Sequence, residues 1–168
     1  MGPISLTTSI DAPREQVFDF ICDLAVRPAW IDHFAEDYRV ERIPAQGQGA
    51  AARFRVDAPG GIRYMETVIA EVDRPYRIVE NGRGGRLDHI PIRAVWELRE
   101  GPTTEVTLTF WTHPPTTFDR LREFGRGGWW HRRWAKALRR MRELIESGEG
   151  SIPRGEVAGG NPQPTGVP

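Results

Sequence analysis

A carboxylate interrupts an otherwise apolar strand pattern near the middle of the chain. Glu66 and Tyr64 lie in residues 62–73, whose alternation predicts a long β-strand. A carboxylate that faces an apolar interior is costly unless it is paired or protonated, so it is typical of a ligand contact or an acid–base group. If the face of the strand that carries Glu66 and Tyr64 is turned inward, these two are candidate catalytic and ligand-binding residues. The apolar or aromatic residues that would share this face are Ile62, Tyr64, Val68, Ala70 and Val72.

The same strand has a second phase that the sequence leaves open. If Met65, Thr67 and Ile69 face inward, Glu66 lies in water. The two phases give opposite roles to Glu66.

His33 is the third candidate for catalysis. It follows Asp32 on a short helix predicted to begin near Pro28, where a neutral imidazole at the mouth of a pocket can act as a general base. The alternative is a partly exposed histidine without a chemical role. The remaining histidines show no metal-ligand spacing, and Cys22 is the lone cysteine, so no metal and no cofactor is predicted.

Aromatic residues are numerous, with six Trp, three Tyr and seven Phe. Rigid rings on inward faces are typical of a pocket for a ring system or an acyl chain, although they also simply fill cores. The candidate ligand-binding residues are Trp30, Phe34, Phe54, Tyr64, Glu66, Trp96, Phe110, Trp130 and Trp134.

The elements that must position these side chains follow from periodicity. Ile4 to Ile10 alternates as a strand, and a short helix covers Pro13 to Asp23. Consecutive strands joined by Gly/Pro turns then predict an antiparallel meander up to His113. A helical segment follows from Phe118 to Phe124, and a long amphipathic helix begins at Trp129. The buried stripe of that helix comprises Trp130, Trp134, Leu138, Met141 and Ile145.

A glycine-rich run within the meander has some of the composition of a phosphate loop. The segment 82–86 lacks the Gly-Lys-Ser/Thr ending of a P-loop and precedes a strand, so it is interpreted as a hairpin loop.

Composition separates one domain from a tail. Residues 1–146 form the predicted domain, and the Gly/Pro-rich segment 147–168 is predicted to be a flexible tail that joins no sheet. No stretch is apolar enough to span a membrane, and no signal peptide is expected at the start. The lone Cys22 favours a reduced, cytoplasmic protein.

The C-terminal helix is strongly basic. Residues 119–146 carry nine basic and four acidic residues. Because the tryptophans are assigned to the buried stripe, the arginines form a solvated face. Binding of nucleic acid is therefore disfavoured. Peripheral contact with an anionic membrane is an alternative of about the same weight as nucleic-acid binding.

Four segments resemble the START/Bet v 1-like (SRPBCC) superfamily, in its polyketide cyclase/dehydrase-like branch: SIDAPREQVFDFICDL, PAWIDHF, EVDRPYRIVE and WELRE with TEVTLTF. The resemblance covers about residues 4–146. It implies an α+β helix-grip fold, in which a curved antiparallel sheet of about seven strands wraps around the long C-terminal helix. Two short helices lie between strands 1 and 2. It also implies a deep apolar cavity between the sheet and that helix.

Three functions are consistent with this reading. The first is binding of a small hydrophobic molecule, such as a polyketide, an aromatic compound, an isoprenoid or a lipid, in the cavity, with Glu66, Tyr64 and Arg55 orienting it. The second is a cyclase, aromatase or dehydratase that uses the same cavity. The resemblance implies a hydroxyl group and an arginine in the pocket of such enzymes. Here, however, the alternation of the strand turns Arg53 and Arg55 outward. The third is a regulatory partner acting through the basic helix. A monomer and a homodimer both fit the sequence.

Overall fold

A computed structural model describes residues 2–41, 44–59, 61–85, 89–123, 125–148 and 156–157. The helices are α1 (Arg14–Cys22), α2 (Pro28–Ile31), α3 (Thr117–Glu123) and α4 (Gly127–Ser147). The strands are β1 (Ile4–Ile10), β2 (Glu36–Val40), β3 (Ala51–Ala58), β4 (Gly61–Asp73), β5 (Arg77–Gly85), β6 (Ile90–Arg99), β7 (Thr104–Thr112) and β8 (Glu156–Val157).

One sheet forms the body of the molecule, with the strand order β1-β7-β6-β5-β4-β3-β2-β8. The strands from β1 to β7 pair antiparallel with their neighbours. Strand β1 pairs with β7, the last strand of the meander, and so forms one edge of the sheet. Helix α4 packs against β1. The core lies between the concave face of this sheet and α4, which confirms the predicted helix-grip fold.

Strict alternation builds the inner face of the sheet. In β6 the buried residues Ala94, Trp96 and Leu98 are separated by outward ones, and β7 buries Leu108 and Phe110 opposite them. This period-two burial is what the sequence predicts for strands with one face on a core.

Helix α4 carries the predicted stripe. Trp130, Trp134, Leu138, Met141 and Ile145 are all buried. The helix begins two residues before the predicted start, at Gly127, and Gly148 caps its C-terminus with a left-handed φ of 62°. Glycine adopts that conformation without strain, so the helix ends there.

The hairpin-loop interpretation of residues 82–86 is wrong for the described part. Gly82 to Gly85 continue β5 and pair with β4, and Gly82 to Gly84 also pair with β6, while residue 86 lies outside the described residues. Close strand packing explains the glycines: a Cβ at Gly82 would lie 2.2 Å from the carbonyl oxygen of Glu66, and one at Gly84 would lie 2.8 Å from Ile92.

The tail also departs from its prediction. Glu156 and Val157 form β8, which pairs in parallel with Arg39 and Val40 of β2. The statement that residues 147–168 join no sheet is therefore wrong at these two positions. Unpaired backbone groups on an edge strand accept any extended segment within reach, so local composition does not reveal such pairing. Most of the predicted tail lies outside the described residues.

Candidate ligand-binding site

The phase of β4 decides the position of Glu66 and Tyr64. Met65 and Ile69 are buried, whereas Glu66 is exposed and Tyr64 retains 49% of its accessible surface. Of the two phases that the sequence leaves open, the second is therefore the one found, and the interpretation in which Glu66 and Tyr64 face the interior is wrong, because the pleat turns them outward together. Tyr64 instead lies under the guanidinium of Arg53, 5.2 Å from its ring centroid.

The buried aromatic residues form one packed cluster. Trp134 lies at its centre, with ring centroids 5.3 Å from Phe34, 5.5 Å from Phe110, 5.9 Å from Trp96 and 6.5 Å from Trp30. Most of these pairs have tilted or edge-to-face geometry, which is favourable for aromatic rings. The cluster brings together most of the candidate ligand-binding residues, and it fills much of the interior.

Where the resemblance implies one deep cavity, the described residues enclose two small ones. Each has a volume of about 20 Å³, enough for a single water molecule. Met65 and Ile92 border both cavities and therefore stand between them. The physical reason for the difference is that the indole and phenyl rings occupy the remaining space.

The first cavity, at the middle of the sheet, is bounded by aromatic, apolar and a few polar residues. Phe54, Phe110 and Trp134 are the candidates that line it, and the exposed Glu66 borders it from β4. Trp130 lines the second cavity, together with Gly84, Gly85 and Arg126. Trp30, Phe34 and Trp96 line neither cavity and pack around the other rings.

A buried ion pair forms the polar wall of the first cavity. Arg27 donates from Nη1 to Oε2 of Glu80 at 2.6 Å and from Nη2 to Oε1 at 2.7 Å. Trp96 Nε1 donates to the same Oε1 at 2.7 Å, and the Thr67 hydroxyl donates to Oε2 at 2.9 Å. Both carboxylate oxygens thus accept two hydrogen bonds, and Arg27 also donates to the carbonyl oxygen of Ile21 at the end of α1.

The electrostatics of the pair favour its charged form. Burial opposes ionisation of Glu80, but the charge and hydrogen bonds of Arg27, with those of Thr67 and Trp96, hold its pKa below the ordinary value. The Arg27 guanidinium lies 5.5 Å from the Trp30 ring centroid and 5.9 Å from that of Trp96, so aromatic faces replace part of its lost hydration. Burial raises the pKa of the nearby Cys22 thiol to about 12, although the charge of Arg27 acts in the opposite direction.

His33 joins α2 to α4. Its Nε2 donates to the carbonyl oxygen of Arg133 at 3.0 Å, and Nδ1 lies 3.4 Å from Nη1 of Arg140. Burial, with the charges of Lys136 and both arginines, lowers its pKa despite the bond to the Arg133 carbonyl. His33 therefore connects two elements and lines neither of the two described cavities, and its role as a general base stays a prediction.

Sequence reasoning missed Arg27 and Glu80. A signal was present for Glu80, because it shares a strand face with Ile78 two residues earlier. When the residues from Gly82 onward are interpreted as a loop, β5 is taken to end near Glu80. The paired strands on both sides of Glu80 are then missed. Arg27 precedes a proline in an irregular turn, where no periodicity indicates which side chains are buried.

The described residues outside the two cavities bear on other kinds of site. Among them, no group of three or more His, Cys, Asp or Glu side chains is placed to hold a metal ion. No helix in the described ranges is both long and apolar enough to cross a membrane. A groove of about 330 Å³ lies on the surface beside α4, where it is bordered by Ala29, Arg140, Glu143, Leu144 and Ser147.

Comparison with known proteins defines the class. Residues 1–155 match the family described as polyketide cyclase / dehydrase and lipid transport, and the chain belongs to this family. The description covers both hydrophobic-ligand carriers and cyclase-like enzymes, so membership indicates one of these roles. No curated protein matches the chain in sequence.

Solved structures are similar in fold. The KanY protein (ms6282) superposes with a TM-score of 0.67 at 18% identity, over 87% of this chain and 99% of that one. Major latex-like protein 151 from Panax ginseng gives a TM-score of 0.62 at 12% identity, over 86% of this chain and 97% of its own. DynU16, from the dynemicin biosynthetic locus, gives 0.61 at 16% identity over 92% of this chain and 50% of that one. At these identities the likeness is one of fold.

Proposed function

We propose that this protein binds a small, mainly apolar molecule between the sheet and α4. The observation that carries the proposal is the pair of cavities that share Met65 and Ile92 as lining residues among the described part of the core. Native interiors are closely packed, so two neighbouring voids, each large enough for one water molecule, support a site at which the core is able to open.

Two features allow that opening. Met65 is an unbranched thioether with three rotatable bonds, and such a side chain adapts to different shapes at low cost. The glycines of β5 present no side chains beside it, since Gly82 borders one cavity and Gly84 the other. Displacing Met65 would join the cavities into one elongated site that runs along β5.

The state of Glu80 favours binding over the cyclase alternative. A cyclase or dehydratase needs a general acid or base with a free position and a pKa near the working pH. Glu80 is the buried carboxylate of the cavity wall, and four donors already occupy its oxygens. Its lowered pKa also makes it a poor proton donor.

Binding is tested with 2-ethylnaphthalene, an apolar two-ring probe, by following the methyl resonances of Met65 and Ile92 in carbon–proton NMR spectra. We expect both resonances to shift in a saturable manner, because these methyl groups separate the two cavities. Ala94, which is buried at the first cavity, is replaced by leucine to fill it, and this variant should weaken binding. Ala135→Leu, at an exposed position of α4, is the control and should bind as the parent does. Unshifted methyl resonances at the solubility limit of the probe would refute the proposal.

A further inference from the structure

Two residues that line the first cavity carry buried hydrogen-bond donors without partners among the described residues. Nε of Arg27 and Nε1 of Trp134 are both inaccessible to solvent and have no hydrogen-bond partner among the described residues. Both residues line this cavity. Buried N–H groups are nearly always satisfied, so two such groups at one cavity indicate an acceptor that comes from outside the chain.

The carboxylate oxygens of the cavity wall are already occupied. Each oxygen of Glu80 takes two hydrogen bonds, and the Thr67 hydroxyl uses its proton on one of them. A ligand that brought another donor would compete with these contacts. A ligand that brings an acceptor would complete the two unpaired N–H groups.

The charge balance of the wall selects the kind of acceptor. Arg27 and Glu80 neutralise each other at 2.6 and 2.7 Å, so the cavity offers no net positive charge. A carboxylate would lose its hydration without a free cation to replace it. A neutral carbonyl oxygen accepts the same hydrogen bonds at a much lower desolvation cost.

We infer that the cavity recognises a neutral carbonyl group on its apolar ligand, through the N–H groups of Arg27 and Trp134. This inference rests on the proposed function and specifies the polar group of the ligand. Trp134 is then a specificity-determining residue, while its ring belongs to the aromatic cluster. A water molecule is the competing occupant, since one fits the volume.

The test compares three probes of similar size on the full chain by ligand titration: 2-acetylnaphthalene, 2-ethylnaphthalene and 2-naphthoate. We expect the ketone to bind about tenfold more tightly than the hydrocarbon, a ratio within the range for hydrogen bonds made in a buried site. The carboxylate should bind more weakly than the ketone. Trp134→Phe keeps an aromatic ring and removes the N–H, so it should abolish most of the preference for the ketone.

Trp30→Phe is the matched control. Nε1 of Trp30 is also buried and unpartnered among the described residues, but Trp30 does not line this cavity. That variant should retain the ketone preference, and thermal unfolding of both variants shows whether they fold. Equal affinity for ketone and hydrocarbon would overturn the inference and leave the proposed function standing. Tighter binding of the carboxylate would also overturn it. Failure of all three probes to bind would refute the proposed function, and the inference with it.

Discussion

The Arg27 guanidinium and the Glu80 carboxylate form a two-point ion pair inside the core, with N–O distances of 2.6 and 2.7 Å. The two residues are 2% and 3% exposed. The pair joins the turn after α1 to the middle of the sheet, because Arg27 also donates to the Ile21 carbonyl. It therefore fixes the position of the first helices over the cavity as well as supplying its polar wall.

Removing one partner should be strongly destabilising. Glu80→Leu leaves the Arg27 charge buried and unpaired, which costs about 3–5 kcal/mol of unfolding free energy. The double variant Arg27→Met, Glu80→Leu should recover much of that loss, because it replaces both charges with apolar groups. Urea unfolding measures both. Glu36→Leu, which breaks the exposed pair with Arg55, is the control and should cost less than about 1 kcal/mol. A Glu80→Leu loss no larger than that of the control would contradict this account of the pair.

Protonation of His33 should weaken the fold. Its folded-state pKa lies below the ordinary value of 6.5, so between these two values the unfolded chain binds more protons than the folded one. The stability that His33 contributes is fully present above pH 6.5 and is lost as the pH falls through that window. Protonated Nδ1 also cannot accept a hydrogen bond from Arg140.

The measurement for His33 is the urea midpoint across this pH range. His33→Gln retains an amide donor and a carbonyl acceptor, so its midpoint should vary less with pH than that of the parent. His131→Gln, at an exposed position on α4, should keep the parental profile. Equal pH dependence in the parent and His33→Gln would show that another group controls it. The charged groups that lie near His33 in the folded protein are Asp32, Arg133, Lys136 and Arg140.

Two glycine-to-alanine substitutions should have opposite effects on thermal stability. At Gly82 a Cβ would lie 2.2 Å from the Glu66 carbonyl oxygen, so the strands must separate, at a cost of about 1–3 kcal/mol or more. At Gly128, in the first turn of α4, the nearest atom is 3.8 Å away, in Arg132. Gly128→Ala should stabilise the protein by about 0.4–1 kcal/mol. If Gly82→Ala were as stable as the parent, the close approach of β4 and β5 would be disproved.

The fold was largely predictable because its elements have clear periods. The alternation of Val106, Leu108 and Phe110 places one face of β7 on the core, and the spacing of Trp130 and Trp134 does the same for α4. Both patterns depend only on which side of one element is apolar. The pairing of β8 with β2 has no such period, because a two-residue strand depends on what lies beside it.

The site was less predictable because it depends on contacts between distant residues. Arg27 and Glu80 are 53 positions apart, and neither has an informative local pattern without the other. The phase of β4 was ambiguous since both of its faces carry large apolar residues: Met65 and Ile69 on one, Tyr64 and Val68 on the other. Only the position of the strand between β3 and β5 decides which of them is buried.

Met65 should control access to the interior. Met65→Ala removes the flexible side chain between the two cavities, so it should raise the affinity for 2-ethylnaphthalene while costing about 2–5 kcal/mol of stability. Met141→Ala is a matched control, because Met141 is fully buried on α4 but borders neither cavity. It should cost a similar amount of stability without the gain in affinity. Ligand titration together with urea unfolding separates the two effects. An affinity gain of the same size in both variants would mean that general loosening of the core, and not the space beside β5, admits the probe.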